Sequence, residues 1–181
     1  NAVKGEYARV IQLIRNTVAQ MQRTNNALNN ILRLRKNLVD DQQAGEEALP
    51  LKNILADVQE TLRTNFDDAH ASLHLDIEAV QHVRFPHVHL KSVFYNLISN
   101  ALKYRDYNRP LVVKVTAQND DNGMYVFTVD DNGLGIDLER HRDKLFGIFK
   151  RFHVHVDGAG VGLHIVKSIV EAYGGTIIVE R

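Results

Sequence analysis

Three side chains able to handle a metal ion and a phosphate share one helical face: Asn96, Asn100 and Lys103, at i, i+4 and i+7. Magnesium takes oxygen ligands, accepts few protein groups and completes its shell with waters and phosphate oxygens. The amide oxygen of Asn96 can serve it without repelling a triphosphate, unlike a carboxylate. Taken alone, the same spacing also fits an ordinary solvated helix face. Asp131 ends the run Tyr125 to Val129 and leads into Asn132-Gly133-Leu134-Gly135-Ile136. A carboxylate there accepts a hydrogen bond from the exocyclic amine of adenine and offers no donor to guanine O6, which favours ATP over GTP. Gly133 and Gly135 let backbone pass close to a ligand. Asp130 is the competing carboxylate, and an Asp-Asn-Gly turn is common in its own right. Gly158-Ala159-Gly160-Val161-Gly162-Leu163 runs without a break into an apolar helix. Free N–H groups at a helix start favour phosphate.

Rival readings of the glycine-rich entry have requirements that the chain does not meet. A dinucleotide-binding fold needs a strand directly before the first glycine. Here Phe152 to Asp157 is short and loop-like, with no βαβ unit around it. No Gly-x₄-Gly-Lys-Ser/Thr P-loop occurs. The segment Leu145-Phe146-Gly147-Ile148-Phe149-Lys150-Arg151-Phe152 adds aromatic residues suited to a core or to anchoring a lid. Its basic pair could stabilise a γ-phosphate in transfer or simply be solvated. The lid between Phe152 and Gly158 is expected to be the least ordered part.

In this order, Asn96 to Tyr104, Asp131 to Ile136, Leu145 to Phe152 and Gly158 to Leu163 resemble the N, G1, F and G2 boxes of sensor histidine kinases. These belong to the wider ATPase superfamily that includes gyrase, Hsp90 and MutL. The resemblance covers about residues 5 to 180 and is specific from Asn96 onward. It implies ATP and Mg²⁺ as cofactors, with Asn96 the principal metal ligand and Lys103 assisting at the phosphates. Arg151 is the first choice for the transition-state cation, and Lys150 the second. The implied nucleotide-binding set is Asn100, Tyr104, Asp131, Gly133, Gly135, Ile136, Phe146, Gly158, Gly160, Val161, Gly162 and Leu163. The region from Lys144 to Gly162, with Lys103-Tyr104-Arg105, looks most like hybrid or sensory kinases of environmental bacteria.

Ser92 lies one turn before Asn96, where gyrase-type members carry a water-activating glutamate. Serine is a poor base, so hydrolysis loses its main group. Histidine kinases need no such glutamate, because catalysis is mostly positioning and charge stabilisation. Of the nine histidines, His70, His74, His82, His87, His89, His141, His153, His155 and His164, none stands in a His-Asp/Glu-Leu-x-x-Pro context. His153 and His155 alternate like metal ligands but lack partner carboxylates. The implied phosphoacceptor is therefore a histidine outside this chain, and a response regulator receiver domain would take the phosphate onward. Two alternatives stand beside this reading. One is a non-catalytic nucleotide-binding module. The other is an anti-sigma-type serine kinase, against which the long heptad helix described next argues.

The elements that must position these residues follow from periodicity. Residues 5–42 form one long helix in which Tyr7, Ile11, Ile14, Val18, Met21, Asn25, Leu28 and Leu32 alternate steps of four and three. That is a coiled-coil seam with one polar break, widened by Ile31, Leu34 and Leu38. Its length favours pairing with a second copy, giving a homodimer through residues 5–42. Residues 43–50 read as a linker, with Pro50 in the first turn of a helix faced by Leu51, Ile54, Leu55, Val58 and Leu62. Leu73, Leu75 and Ile77 alternate as a half-buried strand, and Arg84-Phe85-Pro86 ends another extended piece. A helix from His87 to Tyr104 buries Leu90, Val93, Phe94, Leu97, Ile98 and Ala101. Strands over Val112 to Ala117 and Tyr125 to Val129 flank the hairpin signal Asp120-Asp121-Asn122-Gly123. A helix over Val161 to Tyr173, closed by Gly174-Gly175, precedes a strand from Thr176. The expected fold is α+β, a two-layer α/β sandwich with a mixed sheet. The resemblance implies its Bergerat-type version over residues 51–181, after a partial dimerisation helix over 1–42.

Composition bounds the rest. The chain has 181 residues, is 44% hydrophobic and 24% charged, and its 22 Lys and Arg balance 22 Asp and Glu. That is globular material without the basic field nucleic acid would require. Basic residues crowd the first segment at Arg9, Arg15, Arg23, Arg33, Arg35 and Lys36, an ordinary solvated face or a patch for an acidic partner. The absence of cysteine excludes disulfides, thiolate metal sites and thiol nucleophiles. No apolar run approaches the roughly 20 residues of a membrane helix, and Asn1 begins no signal peptide. The expected location is the cytoplasm, with the cytoplasmic part of a membrane-bound sensor as the alternative. Both ends read as cut from something longer.

Overall fold

The computed structural model describes residues 2–40, 47–150 and 159–180. Helix α1 (Ala2–Asp40) is unbroken, as a segment free of proline allows. Tyr7, Ile11, Ile14, Val18, Met21, Leu28 and Leu32 are all exposed along it, so the seam faces away from the domain. The side chains of Ile31, Leu34 and Leu38 lie outside the described set. No helix among the described residues is long and apolar enough to cross a membrane.

The domain itself begins with β1 (Ala48–Pro50), α2 (Leu51–Thr61), α3 (Arg63–Ala69), β2 (Ser72–Asp76) and β3 (His82–Arg84). It continues with α4 (His87–Lys103), β4 (Val112–Asn119), β5 (Tyr125–Asp131), the short α5 (Leu138–His141) and a 3₁₀ turn, Arg142–Lys144, and then α6 (Gly162–Ala172). The main sheet runs β2-β4-β5. β2 is parallel to β4 from Ser72↔Val112 to Asp76↔Thr116. β4 is antiparallel to β5 from Val113↔Asp131 to Asn119↔Tyr125. The sheet is thus mixed, and its inner face carries Val113, Val115 and Ala117 against α2 and α4. Leu51, Ile54, Leu55 and Val58 meet Leu90, Phe94 and Ile98 there. Each such full burial is worth about 1.5–3 kcal/mol. A second cluster, Val93, Val161, Ile165, Val166 and Ile169, fastens α6 to α4.

Turn chemistry closes the elements. In the β4–β5 hairpin, Asp120 Oδ1 accepts from the N–H of Asn122 at 2.9 Å and of Met124 at 2.7 Å. Gly123 supplies the left-handed residue, at φ +76°. Helix α6 ends where Gly174 N–H meets Glu171 O at 3.0 Å and Gly175 N–H meets Val170 O at 2.9 Å.

Four expectations are corrected. The linker over 43–50 gives way at Ala48–Pro50 to β1, which pairs with β3 through Leu49↔Val83, because Leu49 packs on the core. Residues 43–46 of that linker lie outside the described residues. Pro50 is the N-cap of α2, not its first turn. Leu75 is 38% exposed, since β2 is the sheet's edge. Residues 176–180 alternate between partly buried and exposed, but they form no strand because no ladder pairs them. Helix α3, with Phe66 and Ala69 buried, had no counterpart in the periodicity.

Candidate functional site

Helix α4 presents Asn96 and Asn100 one turn apart, both half-buried. Asn96 is oriented by its own helix: its Nδ2 donates to Ser92 O at 2.8 Å and lies 3.4 Å from Ser92 Oγ. The amide oxygen is thereby turned the other way, toward the start of α6. Gly162 stands there, so close that a Cβ on it would lie 3.0 Å from Asn96 Oδ1 and 3.5 Å from Asn100 Oδ1. Any side chain at residue 162 would occupy the space in front of both amides. The Val161 side chain is buried in the apolar cluster between α4 and α6. Leu163 is half-buried. Ser92, which from sequence stood only as a missing base, is the hydrogen-bond partner of the Asn96 amide; its i to i+4 relation to Asn96 was the available signal.

Lys103 is the last residue of α4 and exposed by surface area. The surrounding protein still desolvates its ammonium enough to draw its pKa below the ordinary lysine value. Directly after it, the C-cap Tyr104 accepts the N–H of Leu134 at 2.9 Å through its carbonyl. A Cβ on Gly133 would lie 2.7 Å from that same carbonyl oxygen and 2.7 Å from Asp131 Oδ1. The turn after β5 is therefore seated on the end of α4, and only glycine permits it.

The strand register separates the two candidate carboxylates. Asp131 pairs with the buried Val113 and so lies on the inner, helix-facing side, whereas Asp130 pairs with Lys114 on the outer side. Asp131 Oδ1 accepts from Gly133 N–H at 2.9 Å, which aims the carboxylate along the turn. Asn132, read only as a turn residue, extends the sheet with its side chain. Its Oδ1 accepts from Val112 N–H at 2.8 Å and its Nδ2 donates to Pro110 O at 3.1 Å. Gly135 has φ +67° with open space where a Cβ would be, and Ile136 is half-buried.

The aromatic segment packs at the start of α6. His164 Nδ1 lies 3.1 Å from Phe146 O, and Lys167 Nζ lies 5.3 Å from the centre of the Phe146 ring. A Cβ on Gly160, which has φ +68°, would lie 2.6 Å from Lys150 O. Arg151, Phe152, His153, His155, Gly158 and the expected lid lie outside the described residues. Asn96, Asn100, Val161 and Gly162 are thus brought together at mid-helix, and Tyr104, Asp131 and Gly133 at its end. Among the described residues no group of three His, Asp or Glu could hold a metal ion. An open surface hollow of about 580 Å³ lies at the far hairpin by His82, Asn119 and Tyr125, away from all of these.

Comparison with known proteins follows the same residues. Residues 86–181 match the family described as histidine kinase-, DNA gyrase B-, and HSP90-like ATPase. The chain is 31% identical over 137 residues to sensor protein RprX of Bacteroides fragilis, covering 73% of the chain and 26% of that protein. It is 40% identical over 93 residues to cyanobacterial phytochrome A of Nostoc sp., covering 50% of the chain and 12% of that protein. Its fold superposes on the Acinetobacter baumannii histidine kinase AdeS with a TM-score of 0.65 at 20% identity, covering 93% of this chain and 81% of that one. The chain therefore spans about a quarter or less of the two curated relatives.

Proposed function

The chain belongs to the histidine kinase-, DNA gyrase B- and HSP90-like ATPases, and from that premise we propose that it is the ATP-binding catalytic domain of a sensor histidine kinase, which binds Mg-ATP and passes the γ-phosphate to a histidine not in this chain. A response regulator aspartate receives the phosphate in turn. The observation that carries the reading is the approach of Gly162 to Asn96 and Asn100. It sets a helix entry directly beside two amides, the groups a phosphate and its metal ion call for.

Asn96 suits Mg²⁺ by donor chemistry: its amide nitrogen is engaged with Ser92, which leaves a hard, neutral oxygen to ligate. Bound Mg²⁺ would supply charge neutralisation on the phosphates. Asn100 and Lys103 steady the phosphates, and Arg151, with Lys150 as second choice, offers a cation to the group in transfer. Asp131 accepts from the adenine amine, and the glycines 133, 135, 158, 160 and 162 give the backbone its close approach. Tyr104, Ile136, Phe146, Val161 and Leu163 complete the lining. Ser92 orients Asn96 and supplies no base for water, which favours phosphotransfer over hydrolysis. The exposed stripe of α1 supports a homodimer through residues 5–42, with residues 1–42 a partial dimerisation helix. The reading puts the domain in the cytoplasm.

Calorimetric titration with ATP, with and without Mg²⁺, tests it. Binding should be metal-dependent in the wild type, and Asn96→Ala should remove that dependence. A folded wild-type chain that ignores ATP would instead make this a regulatory module with a degenerate pocket.

A further inference from the structure

Between α4 and β4 the chain makes a loop that the proposed function leaves without a task. Asp106 is the anchor of this loop. Its Oδ1 accepts from the backbone N–H of Asn108 at 3.0 Å and from the Asn108 amide at 2.9 Å. Those bonds, the backbone one first, with the charge of Arg109, hold its carboxyl below the usual carboxylate range. Arg109 Nε lies 3.4 Å from Asp106 Oδ2, and Arg109 Nη2 donates to Gly133 O at 3.0 Å. One edge of the guanidinium thus bridges an anchored carboxylate and the carbonyl of the glycine turn. The N–H of that same Gly133 holds the Asp131 carboxylate.

Resting on the ATP-site reading above, we propose that Arg109 is a positioning residue for base recognition: by fixing the Gly133 turn it fixes the direction of Asp131 and hence the preference for adenine over guanine. The chemistry requires an arginine. A guanidinium offers Nε–H and Nη–H as a rigid fork, while a lysine ammonium is a single point that cannot bridge two acceptors in fixed directions. A cation serving only as charge near phosphates would tolerate lysine. Arg109 and Asp106 are partly solvated, which keeps the effect moderate, about three- to tenfold in affinity.

The test uses the full chain, with Arg109→Ala, Arg109→Lys and Asp106→Asn. Without nucleotide, amide hydrogen exchange at Gly133 and Leu134 should quicken in both Arg109 variants; exchange at the wild-type rate overturns the strap. With nucleotide, ATP affinity should fall about three- to tenfold while GTP affinity stays, so that their ratio falls in the same proportion. A merely structural role would weaken both nucleotides together, and an unchanged ratio overturns the proposal. Wild-type behaviour of Arg109→Lys does so as well, since it would leave only charge. If Arg109→Ala does not fold, Asp106→Asn carries the test, with a smaller shift of the ratio in the same direction. A wild-type chain that binds neither nucleotide overturns the ATP reading and the role in base recognition with it, while the exchange data alone decide whether Arg109 holds the turn.

Discussion

Two seams meet α4, and they are built differently. At its C-terminal end, the turn from Asp131 to Leu134 is joined by directed hydrogen bonds: Leu134 to Tyr104, Arg109 to Gly133, and Asn132 to both Pro110 and Val112. At its middle, α6 is held by apolar packing and by the absence of a methyl group at Gly162. One seam depends on donors and acceptors meeting in register, the other on a glycine with no side chain to hold it off the amides. The division suits the two parts of a nucleotide. A base is told from another base by hydrogen-bond direction, which demands a fixed acceptor. Phosphates and a metal ion are held by charge and short oxygen contacts, which demand room.

The sharpest way to break this contrast is to fill the glycine seam. Gly162→Val should cost about 100-fold or more in Mg-ATP affinity by calorimetry, because its side chain displaces the ligand from both amides. Retained affinity would mean that ligand never enters there. At the bonded seam, Asp131→Asn should cost about tenfold for ATP and far less for GTP in competition binding. Equal losses would take the carboxylate out of base recognition. Asn132→Ala removes two side-chain bonds and should lower unfolding free energy by about 1–3 kcal/mol in urea titration, leaving inorganic triphosphate binding as it was. A fall in triphosphate binding would show the seams to be coupled.

The smallest effect is one of pH. The Lys103 pKa is lower in the folded chain than the ordinary value near 10.4 that it regains on unfolding. Between those two values the unfolded chain binds more protons, so stability rises with pH through that window and is flat below it. Lys103→Met should abolish that rise. Were the rise to persist in the variant, another group would be its source.

The contrast also explains what the sequence disclosed. Helix α4 was legible because Leu90, Phe94, Ile98 and Ala101 repeat with the helical period. The hairpin was legible because Asp120 and Gly123 are local turn chemistry. The choice of Asp131 over Asp130 came from motif register; the strand pairing sets Asp131 opposite Val113 and Asp130 opposite Lys114. Arg109 and Asn132 were invisible because their partners lie 24 and 20–22 residues away, with no local pattern to betray them. β1 was missed because a three-residue strand exists only through its partner. The run from Thr176 failed for the converse reason: alternation alone makes no strand when no ladder receives it.

Helix α4 has one more consequence, since it carries both seams on a single rigid rod. From Asn96 to Tyr104 is eight residues, about 12 Å along the axis. On the proposed reading the helix acts as a ruler, setting how far apart a base and a metal-bound phosphate would be held. The ruler has an angular scale as well, because one residue added between the marks would turn one end by about 100° against the other. The chain measures its ligand in helical turns.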